Sequence, residues 1–190
     1  MKNIINNVKI YGLDNSFRVS KFPMAVDPGN CNSDYTQTVK KLGTAKKGSG
    51  HDNFLKGIIV QFDLSFTIKA WTEAERYHWF DIVSSQSTMH RLSSMNYDEC
   101  FCKYVTDNTK NEMNRLKEIY NKTQNSEDYL ALLYNCPTGT ILTAGITTNY
   151  QQLKTIYAQR KNHRLLEWRD FCNWIKTVPY AFLITGEETE

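Results

Sequence analysis

Residues 60 to 69 alternate without a break, with Val60, Phe62, Leu64, Phe66 and Ile68 on one face and Gln61, Asp63, Ser65, Thr67 and Lys69 on the other. A period of two with one apolar face specifies an antiparallel strand that buries one side and wets the other. Such a strand needs a layer to pack against. Directly after it, Thr72-x-x-Glu75 has the spacing of a capping box: the threonine oxygen takes a first-turn amide and the glutamate reaches back to the Thr72 N–H. The spacing predicts a helix from Glu73, carrying Ala74, Tyr77, His78 and Ile82 until Ser84 and Ser85 weaken it. Residues 50 to 91 thus read as strand, tight turn, helix and polar loop.

The flanking segments supply the partner layer. Ile4, Ile5, Val8, Ile10 and Tyr11 suit a first strand ended by Gly12. Residues 17 to 24 suit a short helix or strand, Asp27-Pro28-Gly29-Asn30 is a turn, and residues 34 to 42 suit a short helix. The lysine-bearing stretch 43 to 50 reads as a mobile, solvated loop. Residues 92 to 105 fit no single pattern, with 97 to 104 compatible with a returning strand. A second capping box, Thr109-x-x-Glu112, opens a helix with Met113, Leu116, Ile119 and Tyr120 on one face, and Asn125 or Ser126 caps another over 127 to 134. After the break at Pro137-Thr138-Gly139, Thr147 or Thr148 starts a helix striped by Tyr150, Leu153, Ile156 and Tyr157, ending at Arg160-Lys161-Asn162. Residues 163 to 176 form the last helix, with Leu165, Trp168, Cys172 and Ile175 on one side. The expected fold class is α+β, an antiparallel sheet with packed helices.

At 190 residues, one domain spanning 1–190 is the expectation, and 41% hydrophobic with 13% aromatic residues argues against disorder. No apolar run approaches bilayer length, and the opening MKNIINNVKI lacks the features of a signal peptide, so a soluble, cytoplasmic protein with no membrane partner is expected. Five cysteines, at 31, 100, 102, 136 and 172, are odd in number and form no C-x2-C pattern, which fits free thiols. His78, His163, Cys100 and Cys102 have no metal-ligand spacing, so no metal is expected. A spread net charge of +3 lacks the footprint of a DNA-binding domain and leaves acidic small ligands, nucleotides among them, open.

Ser49-Gly50-His51-Asp52, ahead of a strand ending in Ile68-Lys69-Ala70, is similar to the G-H-E-x strand of the flavin-dependent thymidylate synthases. Ile146-Thr147-Thr148-Asn149-Tyr150 resembles that family's W-T-x-N-A-R helix start, with Arg160 on the arginine of L-R-x-x-x-H and Glu167-Trp168-Arg169 echoing the A-Q-W-E-I-R that follows. The resemblance covers most of the chain and rests on joint order and spacing. Its departures are at cations. The family's R-H-R-x-x-S triplet falls near Phe80-Asp81-Ile82; the arginine before the helix asparagine is Thr143; the arginine two residues after it is Gln151.

The resemblance implies a nucleotide site at Arg91 and Arg160, to which His90 and Ser87 of the donor-rich loop around Arg91 are added, and flavin contacts at His51 and Asn149. Each has a bland reading as well. His51 is otherwise an exposed loop histidine, His90 and Arg91 part of a polar surface loop, Asn149 a first-turn polar residue, and Arg160 a cation at a helix end. Glu73 and Glu75 read as helix-start residues without acid–base work. The loss of the triplet makes FAD doubtful and the parent reaction lost or altered, because the flavin carries the hard step. The expectation is a nucleotide-binding protein on this scaffold, homo-oligomeric and tetrameric if it follows the family, of the kind a phage uses for nucleotide capture or anti-defence in a host cytoplasm. The alternatives are an active FAD-dependent synthase methylating dUMP, and a phage inhibitor acting on a host protein through its surface.

Overall fold

The computed structural model describes residues 4–46 and 48–187. The chain opens with β1 (Ile5–Tyr11), α1 (Leu13–Ser20) and α2 (Gln37–Gly43), then β2 (Ile59–Thr67), α3 (Ile68–Ala74) and β3 (Phe80–Ser85). Four helices follow: α4 (Thr88–Arg91), α5 (Tyr97–Cys100), α6 (Asp107–Thr123) and α7 (Ser126–Tyr134). The remainder is β4 (Ile141–Asn149), α8 (Tyr150–Arg160), α9 (Leu166–Ile175) and α10 (Phe182–Thr185). The strands form one antiparallel sheet in the order β1-β2-β4-β3. This is the expected α+β class, with an antiparallel sheet and helices packed on it.

The alternation in β2 does what its period requires. Val60, Phe62, Leu64 and Phe66 are buried, and Phe66 meets Trp168 of α9 edge to face with ring centroids 4.9 Å apart. Phe62 packs on Phe171 and Trp174 of the same helix, and Leu153, Ile156 and Tyr157 of α8 complete the layer. The opposite face carries Gln61, Asp63 and Ser65, paired with Thr147, Gly145 and Thr143 of β4. A second, smaller core gathers Leu92, Tyr97, Phe101, Met113, Leu116 and Leu132 beneath α6 and α7.

The helix after β2 starts earlier than expected. Thr67 is the cap: its backbone is extended and its hydroxyl oxygen accepts the Ala70 N–H at 3.2 Å. Thr72 lies inside the helix, its hydroxyl donating to the Lys69 carbonyl at 2.8 Å, which is back-bonding to its own turn rather than capping. Because α3 ends at Ala74, the predicted helical residues near Ile82 are free to form β3, an edge strand with a bulge between Ile82 and Ser84. The box at Thr109 and Glu112 shifts the same way. Thr106 caps α6 by accepting the Thr109 N–H at 3.3 Å, and Glu112 pairs with Arg115 instead.

Residues 97 to 104 do not return as a strand. They form α5 and a single bridge, Phe101 to Thr140, because Tyr97 and Phe101 stack at 4.8 Å inside the second core. The helix expected from Thr147 or Thr148 begins at Tyr150, and the residues before it are β4, paired with β2 from Ile141 to Asn149. The last long helix starts at Leu166 rather than 163. Part of the loop at 43 to 50 is tied down: Lys154 of α8 donates to the carbonyls of Gly43 and Ala45 at 2.7 and 2.8 Å. Lys47 of that loop lies outside the described residues. No described helix is long and apolar enough to cross a membrane.

Candidate functional site

The six residues singled out from sequence fall in three places. His51 is exposed at the entrance to the short turn Asn53–Gly57, and Asn149 caps α8, its Oδ1 accepting the Gln152 N–H at 2.9 Å. These two lie on adjoining segments, because Gln151 donates to Asp52 and Asn53 and the Tyr150 N–H reaches the Ile58 carbonyl. Arg160 sits at the far end of α8, about 16 Å along its axis. Ser87, His90 and Arg91 belong to α4 and its cap, which Tyr129 of α7 anchors by donating to the carbonyls of Thr88 and Met89.

Arg160 is committed to neighbours within the chain. Its Nη1 donates to Glu73 Oε2 at 2.8 Å, its Nε donates to the Tyr77 hydroxyl at 2.7 Å, and the guanidinium lies 4.9 Å from the Trp168 ring centre. Glu73 also accepts from Lys69 at 3.0 Å and from the Trp168 indole at 3.2 Å, with His163 3.4 Å away. Burial alone pushes the Glu73 carboxyl up, but Lys69, His163 and Arg160 outweigh it and hold it below the ordinary carboxylate value. Tyr77 is pushed up by burial, which its Arg160 partner only partly offsets. The Glu73 cluster gives that end of the sheet an ionised, hydrogen-bonded knot.

A second knot was invisible from sequence. Asp52, 1% exposed, pairs with Lys154 at 2.9 Å and accepts from Gln151. The residue standing where the resemblance expects an arginine, Gln151, is therefore used to hold the His51 segment against α8.

The concave surface lies elsewhere, over the polar face of the sheet. A chamber of about 800 Å³ is walled by Asn6, Ser65, Thr67, Gln86 and Thr143, with Asn96, Glu99, Lys103, Glu167 and Asp170 around them. Thr143 bonds Ser65 through their hydroxyls at 2.7 Å and donates its N–H to the Gln86 side chain at 2.9 Å. A smaller chamber of about 440 Å³ adjoins it, with Lys69, Arg164, Thr109 and Thr138 in its wall. The two share Thr67, Cys102, Tyr104, Leu166 and Glu167, so they lie side by side along one stretch of surface, called the groove below. None of the six sequence-singled residues lines either chamber.

The groove offers hydrogen bonding and charge beside an apolar wall that includes Ile4, Met95, Ile141 and Leu166. Burial, and then Cys136 beside it, pushes the Cys100 thiol up, which keeps it protonated at neutral pH. Glu167 accepts from the Thr67 hydroxyl at 2.8 Å. Among the described residues, no group of three or more His, Cys, Asp or Glu is placed to hold a metal. The signal that could have pointed here was the polar face of β2, read at first only as the wet side of a strand.

No protein-family model matches the sequence, and no curated protein is significantly similar to it. Solved structures do match. The flavin-dependent thymidylate synthase ThyX of Helicobacter pylori, complexed with FAD and dUMP, superposes with a TM-score of 0.73 over 95% of this chain and 96% of that one, at 12% identity. A further structure of that enzyme with FAD and dUMP gives a TM-score of 0.71 at 12% identity, covering 95% of each chain. The chain has the flavin-dependent thymidylate synthase fold.

Proposed function

We propose that the protein binds a nucleotide in the groove over its sheet and does not carry out flavin-dependent methylation. The carrying observation is that Thr143, standing where the resemblance expects an anion-binding arginine, lines the groove with a hydroxyl. The fold neighbour bound to FAD and dUMP supports a nucleotide-sized ligand, and the groove's volume falls in the range of small-molecule sites.

The residues at the expected flavin positions do not fit that group. Where the resemblance expects a cationic triplet, Phe80 is buried in the core, Asp81 pairs across to Thr147, and Ile82 lies on an edge strand. Asn149 spends its carbonyl oxygen on the α8 cap. Arg160, expected at the nucleotide, is instead paired with Glu73. A binding protein that withholds a nucleotide rather than turning it over is the reading these departures support. A phage nucleotide-capture or anti-defence role, exercised in a host cytoplasm by a homo-oligomer, is the setting in which such a device is of use.

The test pairs mass spectrometry of whatever heat releases from the purified protein with growth of a thymidine auxotroph expressing it. A nucleotide released from a colourless protein, with no rescue of growth, is the expected outcome. A stoichiometric flavin with rescue would instead make the chain an active synthase.

A further inference from the structure

We infer that the smaller chamber is the phosphate end of the groove, with Arg164 and Lys69 receiving the phosphate of a nucleotide whose nucleoside part occupies the larger chamber; this rests on the nucleotide-binding reading above. The two chambers share five wall residues and so adjoin, which is the arrangement an elongated ligand reaching from one into the other requires. Their charges are segregated. The larger holds three carboxylates, Glu99, Glu167 and Asp170, against Lys103. The smaller holds Arg164 and Lys69 against the shared Glu167, whose Oε1 already accepts from Thr67.

A dianionic phosphate is repelled from the carboxylate-rich chamber and attracted to the other. Arg164 is exposed, and no ion pair or hydrogen bond of its side chain is found among the described residues, so its planar fork is free for bidentate contact. The Lys69 side chain is half exposed and bonded to Glu73, and its ammonium has two further protons to offer. The exposed Thr138 adds a hydroxyl. At the other end, Glu99 and Asp170 are acceptors, which suit the hydroxyls of a sugar and the N–H groups of a base. Tyr104 stands at the junction, 71% exposed; the Lys103 ammonium lies over one face of its ring at 5.1 Å, which leaves the other for a planar heterocycle. Arg91 and Arg160, the cations the motifs pointed to, line neither chamber.

The experiment is titration calorimetry of the full chain with dUMP and the common nucleoside 5′-monophosphates, each compared with its own nucleoside, on the unaltered protein and on Arg164→Glu, Lys69→Gln and Arg91→Glu. The expected result is tighter binding of a monophosphate than of its nucleoside, with Arg164→Glu lowering monophosphate affinity at least about tenfold and leaving the nucleoside unchanged, as befits loss of a charged hydrogen bond. Lys69→Gln moves the same way by less. Melting temperature checks folding, which the partner-free Arg164 leaves unchanged. If Arg91→Glu weakens the monophosphate and Arg164→Glu does not, the phosphate end is misassigned while nucleotide binding stands. If the unaltered protein binds none of the panel, the nucleotide reading itself falls and this inference with it.

Discussion

Glu73 was read from sequence as an ordinary helix-start residue, yet it is the hub of four side chains from three helices and the segment between two of them. Its spacing from Arg160 and Trp168 is long-range, so no local pattern announces it. Removing its charge by Glu73→Gln leaves the Arg160 guanidinium, 14% exposed, without its anion, and the expected loss is about 3 kcal/mol in urea unfolding. The same group sets an acid limit. Its folded carboxyl titrates below the ordinary 4.5, so its contribution is full above that value and is lost as pH falls through the lower folded value. Urea midpoints measured from pH 6 down to pH 3 should fall for the unaltered protein and show a flatter slope for Glu73→Gln. Asp52 and Lys154 form a second ion pair, at deeper burial. Lys154→Met alone strands a carboxylate that is 1% exposed and should cost about 3–5 kcal/mol, whereas adding Asp52→Asn should recover most of it in a double-mutant cycle.

Elements were legible in proportion to how one-sided their burial is. β2 and α9 present continuous apolar faces and were found within a few residues. β4 was missed because its inward Leu142 and Ile146 are interleaved with the small Ala144 and the polar Thr148, which breaks up its apolar face, and β3 because its residues after Phe80 are exposed. Both capping boxes misplaced a helix start for one reason: an earlier threonine, Thr67 or Thr106, already had extended backbone and took the amide first. Two substitutions separate face from face in β2. Phe66→Ala should cost about 3–5 kcal/mol in denaturant unfolding, and Gln61→Ala on the polar face under about 0.5 kcal/mol. Asn149 is tested at its helix end. Asn149→Ala should lose about 1 kcal/mol of stability and Asn149→Asp should keep it, which is the mark of a cap.

For the molecule as a whole, the groove was beyond sequence reasoning because it is assembled from the sheet's polar face and from segments some hundred residues apart, Ser65 and Thr143 beside Glu99 and Asp170. Motifs aligned the fold correctly and pointed at α4 and α8, where the cations they named are exposed on a helix or locked in an ion pair. The exposed apolar residues of the β3 edge, Ile82 and Val83 with Trp79 just before it, are where self-association is expected. Light scattering on eluting protein should give a mass above the 22.1 kDa chain, and Ile82→Lys with Val83→Lys should reduce it. The sheet order also bears on how the chain comes to be folded. β2 and β4 are the two central strands, yet all of residues 68–140 lie between them. On the ribosome β2 is therefore made long before the strand that will flank it, and that edge waits unpaired through the synthesis of the whole second core. Pairing over so long a stretch of chain makes closure of the sheet a late step of folding.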